Sequence, residues 1–377
     1  MTPLLAHRFL SSRLSHRTKK LRFYDPLCGS GSTALVARTF GIRVSASDIL
    51  YPAVTIAEAK LRRLTHTSLI ELQRFPWTLK VPSRRKPSDL WKNWDIWYTP
   101  RVLACLEELA DRIYETRREE YSTHLRTAFF QTVWDVSAAD KTVMVPTRSS
   151  YSRRPPRLSG QQVLKTFGKR LERIVKAQEA LASLGICVGR PTVFQSDALS
   201  NNGWPADPQN IIFTSPAYGC GIDYGRVFRL QMRLWRRHMD GERPAFSKNV
   251  MGRVTRVSPS LEEVPFDERK SSWLVDNLKS PRIGMLLQYI HELHIFIRNC
   301  RRHLARQGEL CLVIGNPQVG RREVPLNRIT QRLALEEGFV SIHKPKVDSI
   351  RGRMQNFPLR SASSCIREEF LLNFQIA

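Results

Sequence analysis

The chain has 377 residues, with 60 Lys and Arg against 34 Asp and Glu, a formal net charge of +26 and a pI near 10.4. That length buries a large core, and so positive a surface favours a polyanion, nucleic acid before an acidic membrane. No apolar run approaches the roughly 18 residues of a membrane span, and seven cysteines without a Cys-x-x-Cys pair argue against a zinc ribbon or disulfide framework and fit a reducing compartment.

Residues 1–22 hold no Asp or Glu and several Arg and Ser, as an organellar transit peptide would. A strand begins almost at once afterwards, so 1–20 is read as a basic arm facing DNA or RNA. The first part of an α/β domain follows over 21–64. The apolar run Leu21–Tyr24 feeds the turn Asp25-Pro26-Leu27-Cys28-Gly29-Ser30-Gly31-Ser32, and a helical run, Thr33–Phe40, leaves it. Strand, Gly-rich turn and helix in that order make a nucleotide-type site: the glycines admit ligand to the backbone, and the helix start offers N–H groups. Gly29-Ser30-Gly31-x-x-Ala34 alone also fits a dehydrogenase. Next, Ile42–Asp48 reads as a strand ending in an acid, placed to accept ribose hydroxyls or to cap the helix running from Pro52 to Leu64.

From 65 to 160 the α/β rhythm stops, which predicts a mainly helical insertion and a candidate target-recognition region, with 225–282 as the alternative. Phe75-Pro-Trp, Trp91-Lys-Asn-Trp94 and Trp97-Tyr98-Thr-Pro-Arg101 set aromatics among basic residues, as base stacking with phosphate contact would; tryptophans also serve as core. Helices are predicted over Val102–Thr116, with Leu103, Leu106, Leu109 and Ile113 on one face, and over Tyr121–Val136. Residues 161–377 return to the α/β domain. A helical run from Val163 to Leu181 ends at Gly185. The strand Val193-Phe-Gln-Ser ends in Asp197-Ala198, candidates for an adenine ring. The strand Ile211–Thr214 ends in Ser215-Pro216-Ala217-Tyr218. A helix over Val227–His238, a loop-like region over 240–282, a helix over Met285–Leu304, a buried strand over Gly308–Asn316, a helix over Leu326–Glu337 and strands at Val340–His343 and Phe370–Phe374 complete the chain. His291-Glu-Leu-His294 has ligand-like spacing inside an apolar helix pattern and reads as ordinary helix, so no metal site is assigned.

Together, Asp25–Gly31 and Thr214-Ser215-Pro216-Ala217-Tyr218 resemble the S-adenosylmethionine-dependent DNA amino-methyltransferases, which methylate cytosine-N4 or adenine-N6. Their motifs read Asp-Pro-Phe-x-Gly-x-Gly and Asp/Asn/Ser-Pro-Pro-Tyr, and this chain is nearest the Thr-Ser-Pro-Pro-Tyr subset. Asp48-Ile49-Leu50-Tyr51-Pro52 and Arg351-Gly-Arg353-Met354-Gln-Asn-Phe-Pro358 with Glu368-Glu369 add to the likeness, which spans 21–60 and about 190–375. Ala217 stands for the second proline and Leu27 for the phenylalanine, and the usual helical segment before the first motif is reduced to the basic arm.

The resemblance implies a Rossmann-like class I methyltransferase fold: a seven-stranded, mostly parallel sheet flanked by helices. It implies S-adenosylmethionine held by Asp25, Pro26, Cys28, Gly29, Ser30, Gly31, Asp48, Ile49, Asp197, Ala198 and Thr214. Ser215 and the Pro216 carbonyl would accept hydrogen bonds from the target amino group, with Tyr218 stacked on a base flipped out of double-stranded DNA. A cytosine-C5 enzyme needs a nucleophilic cysteine, typically in Pro-Cys, and the chain has no Pro-Cys dipeptide. The expectation is therefore a site-specific DNA methyltransferase, cytosine-N4 before adenine-N6. It would be cytoplasmic, prokaryotic or phage-encoded, without metal, with a restriction enzyme as partner. An RNA methyltransferase on the same fold and a catalytically inactive DNA-binding homologue are the alternatives.

Overall fold

The apolar run before the Gly-rich turn forms the first strand of a mixed sheet: β1 spans Arg22–Asp25 and lies between β2 (Arg43–Asp48) and β4 (Gln209–Thr214), parallel to both. β3 (Thr192–Gln195) continues the parallel sheet beyond β2, and β5 (Leu304–Gly315) continues it beyond β4. In this computed structural model the described residues are 3–13, 20–81, 86–88, 90–116, 118–143, 145–147, 154–185, 189–217, 224–239, 251, 281–319, 322–349 and 368–377. They fall into two compact units, one of residues 1–50, 188–224 and 247–377 and the other of 51–187 and 225–246.

In the first unit, β6 (Gln318–Val319) and β7 (Arg322–Glu323) form a separate small hairpin after β5. β8 (Phe339–Ser341), β9 (Lys346–Ser349) and β10 (Glu368–Ile376) complete the main sheet, β10 running antiparallel to β5, β8 and β9. The strand order is β3-β2-β1-β4-β5-β10-β8. A doubly wound Rossmann-like sheet with one reversed strand set between the fifth and the last is the class I methyltransferase fold. The expected seven strands are all on that path. β9 is an eighth, paired to the first half of β10, and Lys-Val-Asp-Ser has too little apolar patterning to announce it.

The expected basic arm is instead a helix. α1 (Pro3–Arg13) buries Leu5, Ala6, Phe9 and Leu10. These apolar residues recur at one-turn spacing, so they form a single face, and Phe9 packs on Phe213 of β4 with ring centroids 5.2 Å apart. Arg13 lies 3.4 Å from Glu309, so that positive charge answers an acid on β5 rather than a distant polyanion. α2 (Ser32–Thr39) follows the Gly-rich turn and packs on β1 and β2.

The second unit is helical and larger than the 65–160 stretch. It comprises α3 (Tyr51–Leu61), α4 (His66–Arg74), α5 (Pro100–Glu115), α6 (Ser122–Asp135), α7 (Gly160–Ser183) and, after the short α8 (Tyr224–Val227), α9 (Arg229–Trp235). α3 and α7 join it because their apolar faces meet other helices: Gln178 of α7 donates to the Ala59 carbonyl of α3 at 2.9 Å, and Val163, Phe167, Leu171 and Val175 enter the helical core. Leu103, Leu106, Leu109 and Ile113 of α5 are buried there as their spacing requires. α7 begins in a capping box, Ser159 Oγ accepting from Gln162 N while Gln162 Oε1 accepts from Ser159 N. Trp97 and Tyr98 are core residues, and Trp91 and Trp94 pack against that core. The helix expected over 227–238 breaks at Phe228 and tightens to a 3₁₀ turn at Arg236–His238.

Back in the first unit, α10 (Pro281–His303) lays Ile283, Leu286, Ile290, Leu293 and Ile297 into the sheet's core, and α11 (Leu326–Glu336) adds Ile329 and Leu333. Most of the expected loop over 240–282, and Arg351–Pro358, lie outside the described residues.

Candidate active site

Parallel sheets hold ligands beyond the C-terminal tips of their strands, and the tips of β1, β2, β3 and β4 carry the residues singled out in the sequence. Between β1 and α2 the chain turns through Pro26–Gly31. Gly29 and Gly31 have φ of +52° and +71°, left-handed conformations that glycine adopts without strain. A Cβ placed on Gly29 would meet no atom within 4 Å, so open space lies over this part of the turn, as a ligand-cradling backbone needs. Cys28 is buried, its N–H donating to the Ser47 carbonyl at 2.9 Å, and Gly31 N–H donates back to the Cys28 carbonyl. Cys28 thus anchors the turn by packing. Ser30 is exposed at its apex, and the Pro26 carbonyl accepts from Ser47 Oγ at 3.4 Å.

Asp25 is 1% exposed. Its Oδ1 accepts from Thr214 Oγ1 at 2.7 Å and from the Leu27 N–H at 3.3 Å. Burial pushes its carboxyl up to about 7; the two hydrogen bonds work against that rise and the nearby Asp48 charge adds to it. Thr214 is itself fully buried, and its bond to Asp25 fixes the tip of β4.

Asp48 builds the turn as well as facing it. Oδ2 accepts from the Gly29 N–H and Oδ1 from the Leu50 N–H, both at 2.9 Å. The second bond is an Asx turn two residues on, so the carboxylate shapes the exit of β2 and does not cap α3. Burial raises this carboxyl too, against the backbone N–H groups of Leu50, Gly29 and Ile49. With three backbone N–H groups on its four acceptor positions, the carboxylate keeps one for a hydroxyl. Ile49 is held from β3, its carbonyl accepting from Gln195 Nε2 at 2.8 Å, and Ser196 N–H donates to the Asp48 carbonyl at 3.1 Å.

Beyond β3, Asp197 Oδ1 accepts from Leu199 N–H at 2.9 Å, a second Asx turn. Ala198 is buried, and Asn299 of α10 donates Nδ2 to the carbonyls of Ala198 and Leu199, both at 3.1 Å. At the tip of β4, Ser215 Oγ donates to the Val313 carbonyl of β5 at 3.2 Å. That bond points the hydroxyl proton at the sheet, and the oxygen lone pairs are what it can offer an incoming donor. Pro216 is buried and Ala217 packs partly buried on the sheet's core. Tyr218 lies outside the described residues.

The structure therefore brings Asp25, the Gly29–Gly31 turn, Asp48, Asp197 and Ser215 to one edge of one sheet. Sequence reasoning missed three residues that position them: Ser47, Gln195 and Asn299. Ser47 carries no signal beyond being a polar residue in an apolar strand pattern, and Asn299 none beyond being an amide in an apolar helix pattern. Among the described residues no three His, Cys, Asp or Glu side chains gather as metal ligands, and His294 sits 2.8 Å from Glu337. No helix among them is long and apolar enough to cross a membrane.

No protein-family model matches the sequence, and a search of curated proteins finds no relative. Among solved structures the chain is similar to the rRNA methyltransferase aviRa from Streptomyces viridochromogenes, at TM-score 0.34 and 10% identity over 99% of this chain and 85% of that one. It is also similar to the glycopeptide N-methyltransferase MtfA complexed with S-adenosylmethionine, at TM-score 0.33 and 8% identity over 100% of this chain and 94% of that one. Likenesses at this level say nothing of substrate. It is the strand order, with its one reversed strand, that makes this the class I methyltransferase fold.

Proposed function

We propose that the chain is an S-adenosylmethionine-dependent methyltransferase acting on an exocyclic amino group of a nucleobase, cytosine-N4 in double-stranded DNA first and adenine-N6 second. The observation that carries this is the fastening of two motifs at one sheet edge: the cradle over Gly29 and the Ser215-Pro216 tip are joined through the Thr214–Asp25 bond.

The residues fit the cofactor. Open space over Gly29 admits a ligand to the turn, Asp48 would take a ribose hydroxyl, and Asp197-Ala198 at the tip of β3 would take the adenine ring. When bound, S-adenosylmethionine supplies an electrophilic methyl group on a sulfonium. The task left to the chain is to orient a poor nucleophile, because the amino lone pair of cytosine or adenine is delocalised into the ring. Ser215 Oγ and the Pro216 carbonyl accept the two amino hydrogens and draw the nitrogen toward a pyramidal geometry, while Tyr218 stacks on the extruded base. Pro216 has no N–H, so its carbonyl is aimed without a competing donor. Ala217 lacks the ring that would restrict its predecessor, which loosens this geometry without removing an acceptor.

The test is methyl transfer from labelled S-adenosylmethionine to duplex DNA of several unrelated sequences and to structured RNA, with mass spectrometry of the nucleosides. Methyl on cytosine-N4 or adenine-N6 of DNA is the expected result. Label in RNA alone moves the substrate to RNA on the same site. Cofactor binding without label on either would sink the reading.

A further inference from the structure

We propose that Arg226, Arg229 and Arg233 on the helical unit form a binding surface for the sugar–phosphate backbone of a nucleic acid. The assignment rests on the function proposed above and adds to it the place where the polyanion is held.

The spacing of four residues sets Arg229 and Arg233 in one stripe of α9, with Arg226 just before it on α8, while Leu230, Leu234 and Trp235 of α9 are buried in the helical core. Arg226 and Arg233 are exposed and Arg229 is half-buried. The Arg229 guanidinium lies over the Trp97 ring, 5.4 Å from its centroid. Trp97 is only 5% exposed, so in this unit the tryptophan is a seat for a guanidinium and not a platform for a base. Stacking on a fixed ring holds the guanidinium in place before any partner arrives.

Arg62, Arg112, Arg170 and Arg237 each have a carboxylate partner; among the described residues neither Arg229 nor Arg233 has one. Burial first, and then the like charges of Arg226 and Arg233, hold Arg229 below its ordinary value. Like charges set on one face repel, and an anion laid along them relieves that repulsion. Between Arg229 and Arg233 the helix rises about 6 Å, the length of about two nucleotide steps of one duplex strand. Arginine rather than lysine suits this task, because its planar fork meets two phosphate oxygens at once. In the chain the stripe follows the Ser215-Pro216 tip after one short segment.

The experiment uses the full chain and its Arg229→Gln/Arg233→Gln variant, with a fluorescent duplex DNA and a hairpin RNA across a series of KCl concentrations. The expected result is an affinity at least about tenfold weaker at low salt and a log–log salt slope shallower by about two for duplex DNA, with S-adenosylmethionine binding and the thermal midpoint retained. The nucleic acid whose affinity falls is the partner. Arg233→Glu alone, at an exposed position, keeps the test decisive should the double variant fail to fold. Unchanged affinity and slope in that variant would overturn the assignment while leaving methylation by the parent chain standing. A parent chain that binds neither nucleic acid overturns both. Loss of polyglutamate binding with nucleic-acid binding untouched would make the surface one for an acidic protein, and the assignment fails.

Discussion

Thr214 Oγ1 donates to Asp25 Oδ1 at 2.7 Å, a buried bond between residues 189 positions apart at the tips of two adjacent parallel strands. It ties the turn after β1 to the acceptor tip after β4. Thr214→Val keeps the shape and deletes the donor, leaving Asp25 Oδ1 with the Leu27 N–H alone. Urea unfolding should show a loss of about 1–3 kcal/mol, restored by Thr214→Ser. A valine variant as stable as the parent would mean the bond contributes nothing net.

Asp25 also sets a pH dependence. Its folded value of about 7 lies above the ordinary 3.8, so between these the native chain keeps a proton that the unfolded chain has released. Stability contributed in this way is complete below about pH 4 and is lost as pH rises toward 7. Asp25→Asn cannot titrate, and its amide oxygen can take both hydrogen bonds. Its stability should therefore fall by about 2–3 kcal/mol less than the parent's between pH 5 and pH 8. Asp48, shifted in the same direction, keeps its share in both proteins. Parallel losses in parent and variant would remove Asp25 as the titrating group.

Gly29→Ala places a methyl group in open space at a φ of +52°. The strain should cost about 1–2 kcal/mol without a clash, so the variant folds. Calorimetry should then show weaker S-adenosylmethionine binding. Unchanged affinity would mean that no ligand approaches this glycine.

Asp48→Ala removes an acceptor from two backbone N–H groups, Gly29 and Leu50, as well as from a ribose. The unfolding midpoint and cofactor affinity should fall together, with a stability loss of roughly 3 kcal/mol. A loss of affinity alone would restore Asp48 to the purely ligand-facing role that its place after the glycines suggests.

Phe9→Ala should cost about 3–4 kcal/mol, because the ring is buried against Phe213. Arg8→Gln on the exposed side of α1 should leave stability nearly unchanged. Denaturant titration of the two separates a packed helix from a charged arm.

Much of this was legible in the residues. The 3.6-residue spacing in Leu103–Ile113 and Val163–Val175 marked α5 and α7, and the apolar runs before Asp25 and Ser215 marked strands whose tips carry chemistry. α1 was not, since its four buried residues are diluted by Arg, His and Ser into a composition that imitates a targeting segment. The membership of α3 and α7 in the helical unit was also hidden, because periodicity says that a face is buried and not against what. Least readable was the Thr214–Asp25 bond: each residue looks locally ordinary, and only the parallel pairing of β1 with β4 makes them neighbours.

The margins of the main sheet bear on how the protein behaves when concentrated. One margin is β3, four residues long. At the other, the nine-residue β10 has its outer edge divided between β8, of three residues, and β9, of four. Among the described residues, a strand from another molecule that sought to extend the sheet would find only three or four residues to pair with at either margin, too few to hold it. Exposed Val340 and Val347 thus lie on strands too short to seed a fibre.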